Sequence, residues 1–411
     1  MNRQPRLLHG LLARARLLLA ALALAICAGL VWVDEPGGAI AASPPTVPGT
    51  SCPSFLADSV WNTPVNSLPV HAQSAQWLAS SGATSGRNLH PDFGSGYGLP
   101  INVVHSSHPT TRFTFDYADE SDPAGAGNPK GPYPYGSDLK LEGGSDTHQL
   151  VVDQDTCKLY EVYATNNNGP SIGGSGAIYD LRSHALRPDG WTSADAAGLP
   201  IFPGLVRLDE VAAGAVRHAI RFTVQRSDRS HIWPARHDAG SARDGSLPPM
   251  GARFRLKSSF DTSRFGPEAK VVLAAMQTYG LIVADNGSNW FFQGTDDPGW
   301  AAPQYDTMIS QLKGVPASAF EAVDESSLMV SAGSDQARQP SGAPVPPPGT
   351  PTPTPTPTAT AVTTRPPGTP TPTPGRTPVP VVSTPTQSSQ PAGKPPPRKG
   401  PGCNPLWAPT R

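Results

Sequence analysis

Alternation of apolar and polar residues dominates the chain between about residues 110 and 295, and it predicts strands. Period-two or β-rich runs occur in "RFTFDY", "HQLVVD", "KLYEVYA", "AIYDL", "HAIRFTV", "ARFRLK" and "GLIVADNGSNWFFQG". Each is bounded by Gly, Pro, Asn or Asp, the residues that reverse a chain. In the last run Asn286-Gly287 suits a tight hairpin turn between residues 281–284 and 290–292, because both residues tolerate positive φ. Helical spacing is confined to two places. One is "PEAKVVLAAMQTYG", with Pro267 near its start, Val272, Ala275, Met276 and Tyr279 on one face and Gly280 as its stop; the other is the shorter "LDEVAAGAVRH". Roughly ten strands with one or two short helices predict a mostly β, single-domain fold of β-sandwich or jelly-roll type.

Both ends depart from this pattern. Arg3, Arg6, Arg14 and Arg16 precede an unbroken apolar run over residues 17–33, and the small-residue "AIAAS" follows. That is the order of a secretory signal peptide over 1–41, with Ala39-Ile40-Ala41 as the cut. Left uncleaved, an apolar run of about 17 residues is just long enough to act as an N-terminal membrane anchor. Residues 42–52 read as a short linker, 53–325 as the globular β domain and 326–411 as a tail. Of the 50 prolines, 24 fall between 340 and 411, many of them in "PTPTPTPTATAVTT". Proline removes the backbone donor and threonine supplies no core, so the tail is expected as a disordered, extended stalk. The expected location is secreted or on the cell envelope, with membrane contact only through the N-terminal segment.

Export bears on the cysteines, since an oxidising compartment favours disulfides over free thiols. Cys52 and Cys157 both belong to the globular part and are the expected pair. Cys403 then stands alone, free or bonded to a second chain; otherwise a monomer is expected. The net charge of −1 hides an asymmetry: residues 43–325 carry 20 Lys and Arg against 29 Asp and Glu, and residues 326–411 carry 7 against 1. An acidic body argues against nucleic acid as a partner.

The phrases "HPDFGSGYGLP", "EGGSDTHQLVVDQDTCKLYEVY", "GWTSADAAGLPIFPGLVRLDEV", "IWPARH" and "YGLIVADNGSNWF" resemble a widespread group of secreted bacterial proteins of unassigned function, over about residues 53–325. The resemblance implies that this region is one domain. It carries no activity with it.

Candidate chemistry gathers in the turns. In "DYADESD" the carboxylates of Asp116, Asp119, Glu120 and Asp122 repel one another, and a hard cation such as calcium, held by Asp119, Glu120 and Asp122, would relieve this; a solvated acidic turn explains the stretch as well. No other cofactor is required. In "EGGSDTHQLVVD", Asp146 and His148 lie two apart, a spacing that lets an Asp orient a His for proton transfer, with Glu142 as a spare carboxylate. "TSADAAG" reads as a capped helical turn, with Thr192 or Ser193 as the cap and Asp195 as a weaker acid or base candidate. Asp209 and Glu210 fit the acidic first turn of the short helix. In "SHIWPARHDAG", Arg236 and His237 place a fixed cation and a titratable ring beside Trp233, whose face, like that of Trp191, can stack on a sugar.

The chain has no H-E-x-x-H helix motif or Walker loop. The expected function is that of a carbohydrate-active enzyme acting on a polysaccharide or envelope glycan by acid/base chemistry, as hydrolase or lyase. In it His148 and His237 move protons, Asp146 orients His148, and Arg236 holds an acidic group. The alternatives are a non-catalytic glycan-binding module on a Pro/Thr stalk and a structural envelope protein. Convergence of Asp146, His148, Arg236 and His237 in one cleft would favour the enzyme.

Overall fold

The computed structural model describes residues 44–340, apart from Ser95, Asn167 and Asn168. The expected signal or anchor, nearly all of the Pro/Thr segment and Cys403 lie outside the described residues. Chain contacts divide the protein after Ser43, and the described residues all belong to the second unit.

Among the described residues thirteen strands form three sheets, so the fold is mostly β, as the alternation predicts. The six-stranded sheet runs in the order β1 (His90–Asp92), β12 (Phe291–Gln293), β9 (Ile220–Val224), β11 (Leu281–Asn286), β10 (Arg253–Leu256), β13 (Phe320–Val323). The four-stranded sheet is β2 (Ile101–Val104), β5 (Gln149–Asp153), β6 (Lys158–Tyr163), β8 (Ser175–Asp180). The three-stranded sheet is β4 (Lys130–Pro134), β3 (Thr110–Phe115), β7 (Ile172–Gly173).

The first two sheets share the main core, to which Ile220, Phe222, Phe254 and Leu281 contribute from one side and Leu150, Val152 and Leu159 from the other. The opposite face of the four-stranded sheet is also covered. Val151 packs with Val104 and Leu139, and Val162 with Phe113, Phe115 and Tyr133. Because successive strand residues face opposite ways, burial of both faces makes "LVV" at 150–152 apolar without interruption.

β9 pairs parallel with β11 and antiparallel with β12. That order corrects the hairpin expected at Asn286-Gly287, since β9 lies between the two strands the turn was to join. The connecting segment instead wraps the end of β9. Gly287 N donates to Val224 O at 3.0 Å and Trp290 N to Thr223 O at 3.0 Å, and Thr223 Oγ1 donates to Ser288 O at 2.6 Å. The left-handed residue of the segment is Trp290, at φ 66°.

Among the described residues there are four α-helices: α1 (Ser74–Ser80), α2 (Leu208–Ala212), α3 (Pro267–Thr278) and α4 (Pro303–Leu312). α3 is the helix the sequence marks most strongly. Pro267 occupies its first turn, Ala269, Val272, Leu273 and Met276 are buried, and Gly280 takes φ 73° just beyond its end. It packs on β10 and α4, and α1 packs on β13. The folded body reaches past the expected 53–325 at both ends, for Val47, Leu328 and Ala337 are all buried in the main core. The expected disulfide is present: Cys52 bonds Cys157 across 105 residues, Cα to Cα 5.3 Å, tying the start of the body to the turn before β6.

Candidate functional site

Residues 193–198 form a turn that two histidines hold. His148 Nε2 donates to Ala194 O at 3.0 Å and His237 Nδ1 donates to Ala196 O at 2.8 Å. Ala197 O accepts from the backbone N–H groups of Arg236 and His237. Gly198, at φ +70°, makes this packing possible, since a Cβ there would lie 2.4 Å from Trp191 O and 3.0 Å from the Arg236 Cβ. The segment is not the capped helical turn expected. Ser193 Oγ accepts from Asp195 N at 2.9 Å within a tight turn, and none of residues 193–198 is helical.

His148 is engaged at both nitrogens. Its Nδ1 lies 2.5 Å from Glu142 Oε2, so the partner is Glu142 rather than Asp146, whose carboxylate lies 3.4 Å from Ser145 Oγ. A neutral imidazole carries one N–H, and satisfying a carboxylate and a carbonyl together takes the imidazolium. Burial opposes that charge, yet the Glu142 carboxylate outweighs it by charge and hydrogen bond, with help from Asp146, and raises the His148 pKa to about 9. Burial likewise favours the neutral Glu142, and its bonds to His148 override it, holding the carboxyl below its ordinary value.

Beneath this pair lies a charge network that the sequence reading missed. Arg221 donates through Nε and Nη2 to Asp195 Oδ2 at 3.1 and 2.7 Å, both residues buried. Glu161 accepts from Ile201 N and Phe202 N at 2.9 Å, and its burial pushes the carboxyl up to about 7. Burial first and the Asp195 carboxylate second push Asp285 to about 7 as well, although that residue keeps part of its surface in solvent. The signal was present: Glu161, Arg221 and Asp285 are charges inside runs read as apolar strands.

The "HIWPARHD" stretch serves the scaffold. Arg236 donates from Nε to Arg187 O and from Nη1 to Ala332 O, both at 2.8 Å, and pairs with Asp189 at 3.3 Å. Trp233 Nε1 donates to Ser334 O at 2.8 Å while its ring packs on the core. His231 lies between Asp238 at 2.6 Å and Asp189 at 3.1 Å. Trp191 offers its face to Arg187, 5.5 Å from the ring centre. His237 keeps Nε2 3.8 Å from Glu120 Oε2.

Two of the three carboxylates offered to calcium are engaged within the protein. Asp122 pairs with Arg187 and accepts from Ile178 N at 2.9 Å. Glu120 accepts from Thr192 N at 2.9 Å, and Asp119 is exposed. Among the described residues no group of three or more His, Cys, Asp or Glu side chains could hold a metal ion.

A surface cavity of about 230 Å³ opens where the "EGGSDTH" turn meets the end of β6. It is lined by Ser145, Thr147, Ala164, Thr165, Asn166 and Ile172. Thr147 and Ala164 are both left-handed, at φ 43° and 53°, a conformation that costs a non-glycine residue about 1 kcal/mol or more. Ala164 N donates to Asp146 O at 2.9 Å and Thr165 N to Thr147 O at 3.4 Å, and the Glu142–His148 pair secures the next residue. None of Asp146, His148, Arg236 and His237 lines this cavity, and neither do Trp233 and Trp191, so the four residues whose meeting would favour catalysis do not share it.

The chain matches no family model, no curated protein and no solved structure. Among the described residues no helix is long and apolar enough to cross a membrane.

Proposed function

We propose that this protein recognises carbohydrate outside the cell or on its envelope, and that it binds the glycan rather than cleaves it. The observation that carries this reading is the surface cavity, whose lining side chains offer hydroxyls and an amide and whose wall holds two strained residues in fixed positions. Such groups match sugar hydroxyls one for one, and a wall ordered before binding loses little entropy when the ligand arrives. The candidates for proton transfer support it from the other side. His148 spends both nitrogens on the fold, and Arg236 spends its donors on backbone carbonyls and Asp189. The export signal and the Pro/Thr stalk read from the sequence suit display of such a module.

A catalytic reading rests on one specific feature, the free approach of His237 Nε2 to Glu120. Incubating the purified, oxidised full chain with neutral and acidic polysaccharides decides between the two. Retention on a polymer, with no new reducing ends and no unsaturated product absorbing in the ultraviolet, is the expected result. Product formed by the native chain and lost in His237→Ala overturns it in favour of a hydrolase or lyase. Neither retention nor product leaves a structural envelope protein.

A further inference from the structure

The cavity's own chemistry narrows the ligand. We propose that it takes a single neutral sugar ring and excludes uronic or sulfated rings, an inference that rests on the carbohydrate reading above.

Charge is the first argument. The lining side chains that hydrogen-bond are those of Ser145, Thr147, Thr165 and Asn166, none of them ionised. The nearest charge fixed by a contact is an anion, since Asp146 Oδ1 lies 3.4 Å from the lining Ser145 Oγ. Below the wall, Glu142 and His148 form a closed pair that presents no net charge. A carboxylate or sulfate in the cavity would thus meet a like charge and no lining cation, which should weaken it by about tenfold against its neutral counterpart. Arg236, the cation the sequence offered for an acidic sugar, is held by Arg187 O and Ala332 O.

Size and shape give the rest. About 230 Å³ is the room of about eight water molecules at ~30 Å³ each, enough for one pyranose and its hydroxyls. It falls short of the several hundred Å³ of pockets that enclose larger ligands. Ile172, 42 % exposed at the rim, offers methyl groups to the C–H face of a ring.

The test titrates the oxidised full chain, by ligand-observed NMR, with methyl pyranosides of glucose, galactose, mannose and xylose, and with methyl glucuronide. Each is used at ~10 mM, a level that detects even millimolar affinity. The expected result is saturation by at least one neutral glycoside, about tenfold weaker binding of the glucuronide, and loss of binding in Asn166→Ala, whose exposed side chain leaves the fold intact. Asp146→Asn should strengthen the glucuronide relative to the neutral glycoside. Equal or tighter binding of glucuronide by the native chain overturns the neutral-ring inference while leaving carbohydrate recognition standing. Binding of none of the glycosides overturns both this inference and the reading it rests on.

Discussion

Replacing Glu142 by glutamine keeps the shape of the side chain and removes the counter-charge of a buried imidazolium, so its cost is calculable and depends on pH in a defined direction. The folded pKa of His148 is raised to about 9 from 6.5. A raised pKa means that the folded state binds the proton more tightly, so the stabilisation is fully present below about 6.5 and is lost as pH rises through about 9. The gap corresponds to roughly 3 kcal/mol at ~1.4 kcal/mol for each tenfold in proton affinity. In Glu142→Gln, burial acts unopposed and the ring becomes neutral. Its Nε2 proton still reaches Ala194 O, and the glutamine amide donates to Nδ1. The variant should therefore be less stable than the native chain by about 3 kcal/mol at pH 6, by about 1.4 at pH 8, and by under about 0.5 at pH 9. Urea denaturation of the two oxidised chains at those pH values, followed by tryptophan fluorescence, reads this directly. A loss that stays constant from pH 6 to 9, or equal stability at pH 6, refutes the ion-pair account of His148.

Three further outcomes rest on buried geometry. Asp195→Asn leaves the buried guanidinium of Arg221 without its partner and should cost about 3–5 kcal/mol in urea; a loss under about 1 kcal/mol would mean that Asp285 takes over the pairing. Removing the Cys52–Cys157 bond by serine substitution at both positions frees a 105-residue loop, a loss of up to about 5 kcal/mol by chain entropy, and an unchanged melting temperature would exclude that contribution. Gly198→Ala puts a Cβ 2.4 Å from Trp191 O at φ +70°, whereas Gly190→Ala, at φ +80°, meets nothing within 4 Å. The first should cost at least about 2 kcal/mol more than the second, which carries only the left-handed penalty of about 1 kcal/mol, and equal melting temperatures would contradict the close packing of the 193–198 turn.

The strands that local pattern revealed are those whose neighbours impose an apolar face over four residues or more. β5, β6 and β9 to β11 lie within runs the alternation marks, and β3 and β8 overlap such runs. β4 escaped because "KGPYP" carries two prolines, which suit only an edge, and β1 because "HPD" is too short to have a period. The Asn286-Gly287 turn misled for a related reason. Turn chemistry reports what two adjacent residues tolerate, but β9, more than 50 residues earlier in the chain, decides what the turn connects.

The site obeys the same distinction. Asp122 and Glu120 looked like a cation cradle because the sequence shows like charges side by side, while their partners, Arg187 and Thr192, stand 65 and 72 residues away. Glu161, Arg221 and Asp285 invite the opposite inference, since an isolated charge in a run buried on both faces cannot stay unpartnered without a penalty of several kcal/mol. Such a residue announces from sequence that a distant partner exists, without saying which. Weighed as heavily as the crowded turns, those three charges point to the buried turn at Asp195. The histidines are then distinguished by how many acceptors they face, the property that separates His148, locked by two, from His237, whose second nitrogen is still 3.8 Å from Glu120.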